Sequence, residues 1–479
     1  MSSPNKSNNM LRYRRLLRGW SLQHAADEIC ALCVSQTGKR PGCNADMVGE
    51  WERGVKVPSP YYREKLCLLY GVTADQLDFV NIVSIPVLLP QASSQVPMKE
   101  FESLCTDLEF RIQCIIYEAL SRRTSLYELQ RKLTSVLTLE GSITMDLERR
   151  KLLRHLALIP LQAFGLSALG ASTERPFAPE DILIHCAAGI TACEHLSKGI
   201  DLNLAYTATS AYVPTLKSIA RNCPLLQKNA AELTTQAMLL LAALGLHLEG
   251  SRAAIGYARQ AVHFSEISGN LELLLTSLGQ LAWIFSCDKQ YHKALETAQF
   301  AEHLLKHAKD VHPLVESNTY AVLGAYSAQN GHRDEALTAL HMATQTFFST
   351  TPANEFSYMD YDYSEIALTW GLVHARTGHP EDALQSFTEI IDPTTLATKM
   401  PVSERVRVEF LNHMALASVK SPTKDMERTI KYWQAGIEGA KTLHSEQRLS
   451  EAVTAYEIME GVWPGDRRIT NLRELIIHW

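Results

Sequence analysis

Between residues 242 and 390 one pattern recurs four times: a small residue, an alanine twelve positions later, then small or apolar residues four and seven positions beyond that. Ala242 leads to Ala254, Ala258 and Ala261, and Ala282 leads to Ala294, Ala298 and Ala301. Gly324 leads to Ala336, Leu340 and Ala343, and Gly371 leads to Ala383, Phe387 and Ile390. Steps of three and four residues mark helices. Two antiparallel helices approach closely only where the facing side chains are small. Larger residues of the same stretches, such as Leu281 and Phe285, then fill the gap to the next pair. Residues 288–291 (DKQY), 330–333 (NGHR) and 377–380 (TGHP) read as the turns inside the pairs. The pattern predicts stacked helical hairpins, hence an all-α fold with a C-terminal α-solenoid.

This spacing resembles the tetratricopeptide repeat, in which a small residue of the first helix meets an alanine of the second. The standard period is roughly 34 residues. Here the anchor alanines stand at 254, 294, 336 and 383. The helices are therefore longer or the loops enlarged, and 344–362 (TQTFFSTTPANEFSYMDYD) reads as an insertion. Further helices are expected over 181–222 and 404–479. Stacked pairs of this kind curl around a concave groove lined by their first helices. By repeat phase Gln236, Asn318, Gln329, Glu365, Arg376 and Asn412 point into it. Amide side chains there can pair with the backbone of an extended peptide. The alternative is that these are solvated surface positions. The tyrosines at 358, 361 and 363 either pack on the groove edge or meet a cationic partner.

The net charge of −6 is spread unevenly. Residues 1–80 hold 11 Lys and Arg against 8 Asp and Glu, and the remainder 35 against 44. A basic head on an acidic body suits a head that meets phosphate. Within it stand residues 47–54 (MVGEWERG), the prolines Pro58 and Pro60, and residues 66–77 (LCLLYGVTADQL). With residues 11–26 (LRYRRLLRGWSLQHAA), they resemble the helix-turn-helix of the Cro/repressor-like (XRE) family over about 70 residues. Val48 and Trp51, three apart, share one helix face and anchor it inward. Ala45, Asp46, Gly49 and Glu50 are then expected to face outward, toward a major groove. Gly54 stops the helix, and Ser21 caps the preceding one. Arg12, Arg15, Arg18, Lys39, Arg40, Arg53 and Lys56 form the expected phosphate set. Lys39 and Arg40 lie on residues 30–44 (CALCVSQTGKRPGCN), which exceed the compact motif by about a dozen positions. The alternative is a helix-turn-helix used only as a protein-binding module.

The remaining sequence mostly excludes. Residues 81–98 hold three prolines and read as a linker, because proline suits neither helix interior nor sheet centre. Residues 99–139 are amphipathic. Residues 156–172 are apolar but include Pro160 and fall short of the roughly 20 residues a spanning helix needs, so a packing helix is expected rather than a membrane segment. Residues 1–9 are polar, and no secretory leader is expected. Cys30, Cys33 and Cys43 form a C-x2-C-x9-C array with His24 nearby, but zinc sites usually use paired knuckles and only one pair is present, so buried thiols are favoured over zinc. No phosphate-binding P-loop or G-x-S-x-G elbow occurs. No enzyme, catalytic residue, cofactor or metal is expected.

The implied organisation is a tail at 1–8, a DNA-binding domain at 9–80, a linker at 81–98, a helical connector at 99–180 and the repeats at 181–479. This order resembles the peptide-sensing regulators of Gram-positive bacteria (the Rap/Npr/PlcR/PrgX group). The resemblance implies a cytoplasmic bacterial homodimer that binds double-stranded DNA, with a peptide or protein ligand in the groove adjusting operator affinity. The rival expectation is a scaffold or toxin-neutralising protein whose repeats hold a partner, with DNA binding secondary.

Overall fold

The structure is a computed structural model that describes residues 11, 12, 15, 20–37, 42–70, 77, 101–121, 124–139, 147–164, 178–349, 358, 359 and 361–477. The 1–8 tail, the 81–98 linker, Arg18, Lys39 and Arg40 lie outside them. Among the described residues the fold is all-α, with an isolated bridge between Ile391 and Thr398 as extended pairing. The chain forms two compact units, 1–114 and 115–479. The division falls inside the stretch read as the connector, so its later helices belong with the repeats.

The first unit contains α1 (Leu22–Thr37), α2 (Ala45–Glu52) and α3 (Pro60–Tyr70). Ser21 accepts a hydrogen bond from the His24 amide, capping α1 as its residue type predicts. Asn44 does the same for α2 through Met47 N. The core gathers Leu11, Ala25, Ile29, Val48, Trp51 and Leu66. Cys30 and Cys33 are buried, and the Cys30 thiol lies 3.6 Å from the Cys43 carbonyl oxygen. Cys33 belongs to this core, and Cys43 packs against it.

α4 (Phe101–Leu120) spans the division. The second unit continues with α5 (Leu126–Leu139), α6 (Leu147–Phe164), α7 (Pro179–Ser197), α8 (Leu202–Asn222), α9 (Gln227–Leu248) and α10 (Ser251–Ser268). Next come α11 (Leu271–Cys287), α12 (Tyr291–Lys306), α13 (Pro313–Gln329), α14 (Arg333–Phe348), α15 (Tyr363–Arg376) and α16 (Pro380–Thr388). The last are α17 (Glu404–Lys420), α18 (Met426–Leu443), α19 (Glu446–Val462) and α20 (Arg467–Ile477). Consecutive helices pack in pairs, as the sequence pattern requires. The turns fall where expected, with α11 ending at Cys287, α13 at Gln329 and α15 at Arg376.

The small residues meet their neighbours closely. A Cβ on Gly324 would lie 3.0 Å from the Ala336 carbonyl oxygen, and one on Gly371 would lie 2.0 Å from the Phe387 ring. Phe387 is fully buried, so it has no free space into which to retreat. Salt bridges from Arg150 and Arg154 to Asp201 tie α6 to the start of α8. The Tyr212 hydroxyl donates to the Ala157 carbonyl oxygen in the apolar segment first weighed as a membrane candidate. A different stretch, Pro224–Leu248, is long and apolar enough to cross a membrane, but 83% of its apolar window is buried, with α9 packed against α8 and α10.

The superhelix of the second unit closes on itself. α9 touches α19, and His247 Nδ1 and Ser445 Oγ are 2.7 Å apart across 198 residues of chain. Beside that contact Glu404 N donates to the Lys198 carbonyl oxygen at 3.2 Å, and Arg405 reaches Ser197. The first and last repeats therefore share a seam, and the concave faces look inward on a common space.

Candidate functional site

In the first unit the candidate surface lies on α2. Val48 and Trp51 are buried, and Trp51 lies 5.0 Å from the Tyr62 ring, so the helix is held by the face that its sequence predicts. Asp46 is exposed, while Ala45 and Glu50 are half-buried. Gly49 is buried: Leu22 and the Arg53 guanidinium cover it, which removes it from the outward surface expected to read bases. Gly54 follows with φ +70°, the left-handed stop expected after α2.

The cations divide into two groups. Arg12, Arg53 and Lys56 are exposed. Lys56 nevertheless pairs with Glu50 at 2.9 Å, which offsets part of the charge it offers to phosphate. Arg15 corrects the expected phosphate set. It is buried, donates to both carboxylate oxygens of buried Glu52 at 2.7 and 2.9 Å, and bonds the Trp20 carbonyl oxygen. A bidentate guanidinium–carboxylate pair inside a core is a strut, because releasing either partner would strand a buried charge. In the sequence Arg15 stands among Arg12, Arg14 and Arg18, and nothing local marks which of them turns inward.

The second unit contains a partly open cavity of about 490 Å³, lined by α7, α9, α11, α13, α15, α17 and α19. Gln236, Asn318, Gln329, Glu365, Arg376 and Asn412 all line it. Most are already engaged. Gln236 accepts from Gln130 at 2.7 Å, Gln329 from Ser286 at 2.8 Å, and Asn412 donates to the Arg448 carbonyl oxygen and to Glu451. Arg376 donates to the Ala325 carbonyl oxygen at 2.8 Å. Asn318 forms no hydrogen bond among the described residues, and its amide lines the cavity. The inserted segment enters the wall as well. Tyr358, Met359 and Tyr361 line the cavity, and the Tyr361 and Ser317 hydroxyls are 2.8 Å apart.

One wall is charged, which the repeat phase did not foretell. Arg448 of α19 is almost fully buried between Glu409 of α17 and Glu451, pairing with Glu451 at 2.5 Å and with Glu409. Burial pushes the Glu409 carboxyl up against the opposing pull of Arg448. Burial also holds the Arg448 guanidinium down, but the two carboxylates more than offset this and raise it. His413, one turn from Glu409, is lowered to about 4 by burial. His247, at the seam, is held well below the usual histidine range by burial and then by Arg448 and Arg405. Glu409, His413 and Glu451 bring their ligand atoms within 4.8 Å of one another. Arg448 engages both carboxylates, so the group forms an ion-pair network rather than an open ligand set. The signal in the sequence was the i,i+4 placement of Glu409 and His413, which on a single helix also fits a solvated face.

The geometry defines a helical-repeat unit whose concave side holds a cavity with apolar walls and several polar groups, and a small helical unit. No protein-family model and no curated protein matches the chain. Several solved structures are similar in form. One is PlcR of Bacillus thuringiensis in complex with the peptide PapR7 and DNA, 12% identical over 72% of this chain and 95% of that one, with a TM-score of 0.32. Another is the TPR domain of P58(IPK), 14% identical over 78% and 97%, with a TM-score of 0.18. A third is the Cut9–Hcn1 hetero-tetramer of APC/C, 12% identical over 78% and 98%, with a TM-score of 0.21.

Proposed function

We propose that the chain is a cytoplasmic bacterial DNA-binding transcriptional regulator of XRE type, acting as a homodimer, whose repeat cavity binds a peptide or protein ligand that modulates operator binding. The observation that carries the ligand half is the cavity with its open Asn318 amide and partly satisfied Arg376. A space of this volume, lined by apolar walls and a few convergent polar groups, is what a small ligand requires. The DNA half rests on α2, which is short, capped by Asn44 and anchored by Val48 and Trp51, with Asp46 outward and Arg53 exposed at its end. A ligand that binds the closed and opened superhelix unequally would shift their populations, and operator affinity with them.

The test is selection of duplex fragments by the purified full chain, followed by titration of the preferred site at several salt concentrations. Changing both Arg53 and Lys56 to alanine is expected to weaken all duplexes and to flatten the salt dependence by about two counterions. Asp46→Ala is expected to change which sequence is preferred. Unchanged affinity in the double variant would sink this docking. The second reading is the scaffold or toxin-neutralising protein with secondary DNA binding. It is favoured by the acidic character of α2, where Asp46 is exposed and Glu50 engages Lys56. It predicts a stoichiometric protein complex and only sequence-blind duplex binding.

A further inference from the structure

The cavity contains a guanidinium that has no ion-pair partner among the described residues. Arg376 ends α15 and lines the space, and one of its five N–H donors is used by the Ala325 carbonyl oxygen. Among the described residues it forms no ion pair, whereas Arg448 on the same cavity is held by two carboxylates. The groups that raise the Arg376 guanidinium against its burial are, in order, the Tyr326 phenol, the Cys287 thiol and the Tyr291 phenol. Burial pushes both the Cys287 thiol and the Tyr326 phenol up, so neither supplies a negative charge near neutral pH. A buried cation without a paired carboxylate is costly unless an anion joins it. A carboxylate is the planar two-oxygen group that matches the guanidinium fork.

A second open group stands on the same wall. Asn318 lies on α13, which also carries Ala325, and both residues line the cavity. Seven helical residues span about 10 Å, the reach of about three extended ones. We propose that Arg376 anchors a carboxylate of the cavity's ligand while Asn318 pairs with that ligand's backbone about three residues away. This rests on the reading that the cavity takes a peptide, and it adds where one end of that peptide sits.

The test offers the full chain three pools of random heptapeptides and measures retention by size exclusion and mass spectrometry. The first pool lacks Asp and Glu and has a free C-terminus, the second is the same but amidated, and the third is amidated but includes Asp and Glu. The chain is expected to retain a carboxylate-bearing pool about tenfold over the carboxylate-free one, as a charge-assisted pair implies. Preference for the first pool assigns a chain-terminal carboxylate, and preference for the third a side-chain one. Arg376→Gln should abolish the preference, Arg376→Lys should keep part of it, and Asn318→Ala should weaken all three pools alike. Equal retention of the carboxylate-free pool overturns the anchor and leaves the peptide reading standing. Retention of no pool overturns both. Without peptide, Arg376→Gln is expected to melt no lower than the parent, because it removes an uncompensated charge. A variant that fails to fold would make Arg376 a structural strut and defeat the proposal.

Discussion

The repeats from α11 to α14 and those from α17 to α19 share a hairpin form but are held by different chemistry. In the first, Ala282, Ala294, Ala298, Ala336 and Leu340 are buried among apolar neighbours, and the Gly324–Ala336 approach sets the distance between helices. In the second, Arg448, Glu409, Glu451 and Asn412 form a polar network along the cavity wall, beside an apolar core that includes Trp433 and Phe387. Small-residue packing is local and repeats with the chain. The buried Arg448 draws on Glu451, one turn along its own helix, and on Glu409 from a helix pair away. The regular repeats thus provide a frame, and the charged ones provide a wall whose stability depends on the frame closing.

That contrast can be broken most strongly at Arg448. Arg448→Ala leaves Glu409 and Glu451 without their counter-charge and is expected to cost about 3–5 kcal/mol in urea unfolding. Replacing Arg448, Glu409 and Glu451 together with Met, Leu and Leu should recover most of it. A loss below about 1 kcal/mol from Arg448→Ala alone would show that the network is not held by charge pairing.

The next largest effect is one of pH. His413 is neutral in the fold, lowered from 6.5 to about 4, while the unfolded chain takes up its proton near the ordinary value. The unfolded state therefore binds more protons between those two values, and stability falls as pH drops through that window. The contribution is as much as ~3 kcal/mol. Urea midpoints at pH 7, 6 and 5 should decline for the parent and flatten in His413→Gln. Parallel declines would assign the effect to other groups.

The smallest of the three sharpens the other side. Gly371→Ala drives a methyl into the buried Phe387 ring and is expected to cost ~2 kcal/mol, read from the thermal midpoint. A neutral result would mean that the α15–α16 pair separates at little cost and that close approach is not what sets it.

Much of this was legible in the residues. The twelve-residue step from Ala282 to Ala294 and from Gly371 to Ala383 marks helix pairs, because a small-to-small contact needs no information beyond the hairpin. Ser21 as a cap, Gly54 as a stop and the inward face of Val48 and Trp51 follow from equally local rules. The repeat phase also brought Gln236 and Asn318 to the cavity. It could not tell that Gln236 would be engaged by Gln130 while Asn318 stayed open, since the partner lies 106 residues away. Arg15 was misread for the same reason, as its role depends on Glu52 across the small core.

Periodicity by itself determined that the chain would be helical, paired and stacked, because those contacts join neighbours in sequence and depend on side-chain size. Which charges are buried and which face the cavity was decided by tertiary packing: Glu52 meets Arg15 across the small core, Glu409 meets Arg448 between α17 and α19, and α9 comes against α19. Charge acts through the medium and partners that distant segments supply, and a linear pattern encodes neither.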